Sequence, residues 1–429
     1  MSIRRKLATL LMVMGTSATL VAAEPAGSWP QWRGPDRTGI SSETGLLKDW
    51  SAKAPTLVWS VEGMGDGYAS VSIADGMIYT TGNFADGQGV TCTSAETGKV
   101  VWTSKITSEP PKHSYEGSRC TPTIDGPHLY CVASSGAIVC LKRDGGEVVW
   151  KRDFKSEFGG KMMSGWGYSE SPLVDGDWVL CTPGGKEAMV VALHKLTGDT
   201  VWQAAVPAIE GKGKDGAGYS SIIISNAAGV KQYVQLTGRG LVGIEAATGK
   251  FLWSYNDVAN DVANIPTPIA SGDYIFSSTG YQTGSALLKL VKEGTEIKAE
   301  EQYFLNADVL QNHHGGMILK DGHIYCGHRH NNGFPICVEM STGKVVWGGE
   351  TRGVGKGSAA VTLADGNLIF RYESGEVALI ECTTEGYKLK GSFTPEYVSK
   401  KPCWAHPVVA GKRLYLREQD KLMCYDIKE

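Results

Sequence analysis

Histidine is unevenly spread along this sequence. Of nine, four stand in two short segments, His313-His314-Gly315-Gly316 and His328-Arg329-His330-Asn331-Asn332, and His406 follows further on. Imidazoles converging from two segments can ligate a transition metal or work as acid–base groups. They can equally line a polar wall and satisfy one another by hydrogen bonds. No carboxylate stands within either segment, and the spacing matches no zinc signature. A second set of candidates comes from three long polar stretches, Ser108–Arg119, Ser156–Glu170 and Ile209–Tyr219. They bring His113, Tyr115, Arg119, Trp166, Tyr168, Glu170, Lys212, Lys214 and Tyr219, and Trp404 lies close to His406. Trp166, Tyr168 and Trp404 offer flat apolar faces on which a sugar ring can stack. The candidate ligand-binding set is Arg119, Trp166, Tyr168, Glu170, His313, His314, His328, His330, Trp404 and His406. None of these is assigned a catalytic or metal-ligating role.

What must position them is a repeat. Thr97-Gly98-Lys99-Val100-Val101-Trp102 returns as Gly145-Gly146-Glu147-Val148-Val149-Trp150 and Thr197-Gly198-Asp199-Thr200-Val201-Trp202. Further copies are Thr248-Gly249-Lys250-Phe251-Leu252-Trp253 and Thr342-Gly343-Lys344-Val345-Val346-Trp347. Adjacent copies recur at 43 to 52 residues, the period of a four-stranded propeller blade. The gap from Trp253 to Trp347 is two such periods, and degenerate copies end at Phe304 and Phe393. Upstream of each ending, a tight turn precedes a short alternating strand, as in Ala74-Asp75-Gly76-Met77-Ile78-Tyr79 and Lys320-Asp321-Gly322-His323-Ile324-Tyr325. Each unit therefore reads as four antiparallel strands, the last ending in an aromatic residue.

The two ends of the chain complete the count. Leu57–Val61 is an outer strand with no three strands before it, and residues 402–429 hold three strands with no outer strand after them. Together they make one blade. The sequence predicts an all-β, eight-bladed β-propeller over residues 57–429, its ring closed by an N-terminal strand. Seven blades would follow only if a degenerate unit were an insertion. Loops entering the inner strands, and those between second and third strands, then converge on one funnel face.

The Thr-Gly-Lys-Val-Val-Trp endings resemble the tryptophan-docking repeat of quinoprotein (PQQ-like) propellers. That repeat builds quinoprotein dehydrogenases and the BamB component of outer-membrane barrel assembly. The lead-in Trp29-Pro30-Gln31-Trp32-Arg33-Gly34-Pro35 resembles the N-terminal segment of exported members. The resemblance implies a structural role, packing between blades, for Trp59, Trp102, Trp150, Trp202, Trp253, Phe304, Trp347 and Phe393. It also raises PQQ with calcium as cofactor, for which Glu170 with Asn264 or Asp261 would offer oxygen ligands. Two features of quinoprotein alcohol dehydrogenases are missing, a vicinal Cys-Cys pair and a Cys-x-x-Cys-His haem site. The chain is also shorter than those enzymes.

Ten cysteines invite a search for disulfides. Cys92, Cys140 and Cys337 share one repeat position with Ala192 and Gly243, a small-residue site on the third strand, and Cys424 matches it in the closing blade. Cys131, Cys181 and Cys326 share a site on the second strand. Centring the hairpins on Ser135-Gly136 and Asn331-Asn332 sets Cys131 opposite Cys140 and Cys326 opposite Cys337. Each pair is then either a cross-strand disulfide or two buried thiols.

Arg4, Arg5 and Lys6 precede the apolar run Leu7–Val21, and Val21-Ala22-Ala23 offers a cleavage site. Residues 1–23 read as a signal peptide, 24–56 as a lead-in, and the destination as periplasmic or secreted, with no membrane anchor. A formal net charge of −3 argues against nucleic acid as a partner. The leading functional reading is an exported monomeric propeller acting as a binding or assembly platform, its protein, small-molecule or glycan ligand at the funnel face. The alternatives are an oxidoreductase using PQQ or a metal in the funnel, and a glycan-binding module.

Overall fold

Short runs of alternating apolar residues, separated by residue pairs that tolerate positive φ, can do little but form hairpins. Asp75 and Gly76 (φ 51° and 73°) and Asp321 and Gly322 (φ 49° and 75°) make such turns. In the computed structural model, which describes residues 27–429, these hairpins build eight antiparallel sheets arranged as one propeller. The first blade runs outward from Ser72–Ala74 through Met77–Phe84 and Gly87–Ser94 to Val100–Lys105. The eighth joins the two ends of the chain. Thr56–Glu62 pairs antiparallel with Lys421–Asp426, placing Ser60 opposite Met423. The signal-peptide assignment lies outside the described residues.

Neighbouring blades are held by the aromatic outer strands. Trp102 lies directly opposite Cys92, Trp150 opposite Cys140, Trp202 opposite Ala192 and Trp59 opposite Cys424, so a small residue sits beneath each of these indoles. The indole then reaches the next blade. Trp59, Trp102 and Trp150 donate Nε1–H to the carbonyls of Ala95, Arg143 and Lys195. Each ring covers the turn glycine of that blade: a Cβ on Gly98 would stand 2.7 Å from Trp59, and one on Gly146 2.6 Å from Trp102. These turns need glycine twice over, for positive φ and for contact. Phe304 occupies the tryptophan register opposite Ala286, but the reach to the next blade passes to its neighbour. Tyr303 donates its hydroxyl to Met340 O (2.6 Å) and its ring covers Gly343. The fifth blade has replaced its Thr-Gly turn with a long hairpin, Gly284–Glu293 with Glu296–Asn306, so Trp253 bonds Gln232 within its own blade.

The cysteine registers differ from expectation by one residue. Cys131 pairs with Val139 and Cys140 with Tyr130; Cys326 pairs with Ile336 and Cys337 with Tyr325. A one-residue slip puts the two thiols of each hairpin on opposite faces of the sheet. All ten cysteines are free, and nine are buried.

The lead-in does more than precede the ring. Residues 29–41 enter the central channel and bond to the inner strand, or its first residues, in every blade. Trp29 pairs with Ile73, and Pro30 O accepts from Ile124 N–H. The Arg37 guanidinium donates to the carbonyls of Ser171, Pro172 and Ile222, and Trp32 Nε1 donates to Thr267 Oγ1 (3.1 Å). Arg33 donates to Met317 O, Ile40–Ser41 adds a parallel strand to the seventh blade beside Leu363 and Ala364, and Ser41 Oγ donates to Val409 O. A looped segment buried in a channel must find partners for its backbone and side-chain donors, and here eight blades supply them.

Candidate functional site

The plug divides the channel in two. On the Asp-Gly side a cavity of about 400 Å³ lies against Asp36, Arg37, Leu173, Ile269 and Leu319. On the funnel side a cavity of about 380 Å³ is floored by Trp32 and Arg33 and walled by loops from most of the ring. Of the candidates, Arg119, Trp166, His313, His314, His330, Trp404 and His406 line this second cavity. Tyr68, Tyr115 and Tyr219 line it as well.

Tyr168, Glu170 and His328 do not reach it. Tyr168 is buried against Phe154 (ring centroids 5.2 Å apart) and donates its hydroxyl to Pro183 O. Glu170 is inserted between the third and fourth blades, accepting from Thr182 N (2.6 Å), Thr182 Oγ1 and Gln235 Nε2. His328 ends the strand His323–His328 and shares the face of Ile324 and Cys326, which packs on the fifth blade. Its Nδ1 accepts from Gln311 N–H, and burial lowers its pKa to about 4.

Aromatic contacts give the cavity its shape. Trp404 packs against Tyr68 (4.6 Å), His314 (5.0 Å) and Tyr115 (5.1 Å) on one side. Trp32 packs against His406 (4.5 Å) at the floor, and Trp166 against Tyr219 (5.8 Å) opposite. His313 and His330 stack at 4.0 Å, with Tyr281 over both. His313 spends both ring nitrogens inside the protein, on Ser358 Oγ (2.8 Å) and Tyr281 OH (3.1 Å). Burial is the main force on every imidazole here. It takes His314 and His406 down to about 3 and pushes His313 and His330 below the usual range, so all four are neutral at physiological pH.

The remaining ionisable groups are two guanidinium groups and one carboxyl. Arg119 donates to Trp166 O (2.7 Å), Tyr115 O (2.6 Å) and Ser114 O and lies over the Tyr68 ring. Arg33 donates to carbonyls only, and its Nη1 has no partner. Burial lowers both arginines to about 10, which still leaves them charged. Glu373 accepts from Ser358 N, and burial raises its pKa. Among the described residues, neither arginine forms an ion pair with a carboxylate.

A calcium-held quinone finds poor ligands here. Asn264 commits its oxygen to Asn260 N and its amide to the carbonyls of Thr237 and Gly238, while Asp261 accepts from Gly213 N. Glu170 faces away, and among the described residues no three His, Cys, Asp or Glu side chains gather as a metal site. The oxygen donors such a cofactor requires are not assembled.

The family described as outer membrane protein assembly factor BamB matches residues 86–349, more than half of the sequence. The chain belongs to this family. BamB from Moraxella catarrhalis superposes with a TM-score of 0.59 at 13% identity, covering 87% of this chain and 98% of that one. The quinohemoprotein alcohol dehydrogenase from Comamonas testosteroni gives 0.67 at 12% identity, over 94% and 81%. A europium-containing methanol dehydrogenase gives 0.54 at 12%, over 91% and 89%. No curated protein matches the sequence significantly. At such identities the fold is shared and the chemistry is not thereby carried across. The family match also ends before Glu373, Trp404 and His406 and begins after the plug and Tyr68, so these parts of the cavity lie outside it.

Sequence reasoning missed Trp32, Arg33, Tyr281 and Glu373. For the first two a signal existed: two aromatic residues, two arginines and two glycines in Trp29–Gly39 are too costly a composition for a mere spacer.

Proposed function

We propose that this protein is an exported binding propeller that receives a ligand group in the funnel cavity and performs no turnover there. The closed floor carries this reading. The plug bonds to all eight blades, which makes the cavity a blind, preformed, aromatic-walled pocket of a size suited to small ligands or to one protruding group of a larger partner. Its ionisable residues lack the pairing that catalysis asks for: His313 is consumed by Ser358 and Tyr281, and Glu373 by a backbone amide. The family description, an assembly factor, points the same way. Among the described residues no helix is long and apolar enough to cross a membrane, and we assign export to residues 1–23.

The test is a purified chain from an exporting host supplied with PQQ and calcium. No bound chromophore and no reduction of a dye acceptor with alcohols or aldoses is expected. Dye reduction that depends on added PQQ would overturn the reading. An amino terminus still beginning at Met1 in the exported protein would overturn the processing assignment.

A further inference from the structure

From the chemistry of the pocket wall we infer that the ligand is an acidic carbohydrate, a sugar ring carrying a carboxylate. The inference rests on the binding reading above and names its ligand class. Charge comes first. Arg33 is 5% exposed, its Nη1 is buried without a partner, and it forms part of the cavity floor. Gly316 makes room for this guanidinium, since a Cβ there would stand 1.9 Å from Arg33 Nη1. Arg119 adds a second guanidinium at the wall, held by carbonyls and the His113 ring and, among the described residues, by no carboxylate. An unneutralised buried cation is costly, and a ligand carboxylate supplies both the counter-charge and the missing acceptor.

Hydrogen-bond polarity comes second. His406 Nε2 lies 3.3 Å from the carbonyl of His314, and a carbonyl can only accept. The neutral ring therefore carries its proton on Nε2, and the buried, unpartnered Nδ1 is a bare acceptor. It requires an O–H or N–H from the ligand. Ser171 and Ser221, also on the wall, accept backbone N–H bonds from Thr121 and Ser171 and keep hydroxyl protons to donate. Ring faces come third. Trp32 ties its N–H to Thr267, so what it offers the cavity is its ring, and Trp404 and Trp166 line the same cavity. Flat apolar faces, a bare acceptor, hydroxyl donors and an unpaired cation together describe a uronic acid better than a neutral sugar or an inorganic anion.

The full-length exported protein is titrated calorimetrically with oligogalacturonate, the matching neutral galactose oligomer, and acetate. We expect oligogalacturonate to bind at least tenfold more tightly than the neutral oligomer, and acetate to compete weakly. Arg119→Gln should cost tenfold for the acidic ligand and little for the neutral one, whereas Trp404→Ala should weaken both. Arg33→Lys keeps the charge but loses the unpartnered Nη1, and should weaken the acidic ligand more than the neutral one. Equal affinity for acidic and neutral oligomers overturns the acidic assignment while leaving the binding reading standing. Binding of acetate as tight as that of the oligomer, or no saccharide binding at all, overturns the carbohydrate assignment. Oligogalacturonate binding unchanged in all three variants places the ligand elsewhere and overturns the pocket reading itself.

Discussion

The rim of this propeller and its funnel are built by opposite rules. At the rim one arrangement is used repeatedly: an indole over a small residue, reaching a turn glycine and a carbonyl of the next blade. In the funnel each blade contributes a different combination of groups. The sixth blade brings its histidines, the second Arg119, the third Trp166, the seventh Glu373, the eighth Trp404 and His406, and the plug Trp32 and Arg33. Repetition stabilises the ring through equivalent interfaces, and its absence at the centre is what allows a specific site. A contact made many times can lose one copy, as it has at the fifth blade, and survive. A site made once cannot.

The largest effect should come from the segment that serves both regions. Deleting residues 24–61 removes the plug and the strand Thr56–Glu62, leaving Lys421–Asp426 as an open edge. Loss of a cooperative urea transition is expected, and a truncated chain that melts like the parent would refute the closure. Next come the rim aromatics. Trp253→Ala, at a buried site, should cost about 3–5 kcal/mol. At the fifth blade, Tyr303→Ala should cost more than Phe304→Ala, because Tyr303 makes the reach to Met340. Equal losses at the two would mean that the docking contact contributes nothing beyond burial.

The same contrast explains what was legible beforehand. Eight blades, the closing strand, the aromatic ring and the small site beneath each indole all followed from a repeated spacing. The hairpin centres of the second and sixth blades did not, because a loop's residue count does not fix its turn type, and the register is off by one residue there. Seven of ten candidate residues line the cavity, since topology tells which loops converge. Whether a residue at the mouth of a blade points into the funnel or between blades depends on one step of strand alternation, and Tyr168, Glu170 and His328 fall on the other side of it. The composition of Trp29–Gly39 marks the plug as more than a spacer, but nothing local announces that a lead-in turns back into the channel.

Titration separates the two regions further. Glu170, sealed between blades, has its pKa raised by burial to about 8, against the Arg37 charge and the Thr182 bonds that lower it. A carboxyl raised in the folded state contributes stability in full below its unfolded pKa, and that contribution is lost as pH rises through 8. Glu170→Gln should therefore gain stability relative to the parent between pH 6 and pH 9, by a few kcal/mol at most. A difference between the two proteins that stays constant across that range would show that the carboxyl is already ionised when folded.

The funnel histidines give the opposite slope and the smallest effect at neutral pH. Their pKa values are depressed, His314 and His406 to about 3, so the folded protein resists protons that the unfolded chain accepts near 6.5. Stability is fully present above about pH 6.5 and falls as the solution is acidified towards 3. His314 and His330 sit at the cavity wall, neither fully buried, and their rings pack edge-on against Trp404 and tilted against His313 without closing any hydrogen-bonded network among the described residues. Replacing both by alanine should leave the melting temperature at pH 7.5 nearly unchanged, because each loses ring contact at a half-open surface and no charge. The same double variant should lose less stability than the parent between pH 6 and pH 4, because one strongly depressed imidazole no longer has to be kept neutral. A chelator should leave the parent's melting temperature unmoved. A large chelator-sensitive shift in the parent, absent from the double variant, would mean that the histidines hold a metal. The cavity would then be a catalytic centre in waiting, and the difference between rim and funnel would be one of chemistry as well as of repetition.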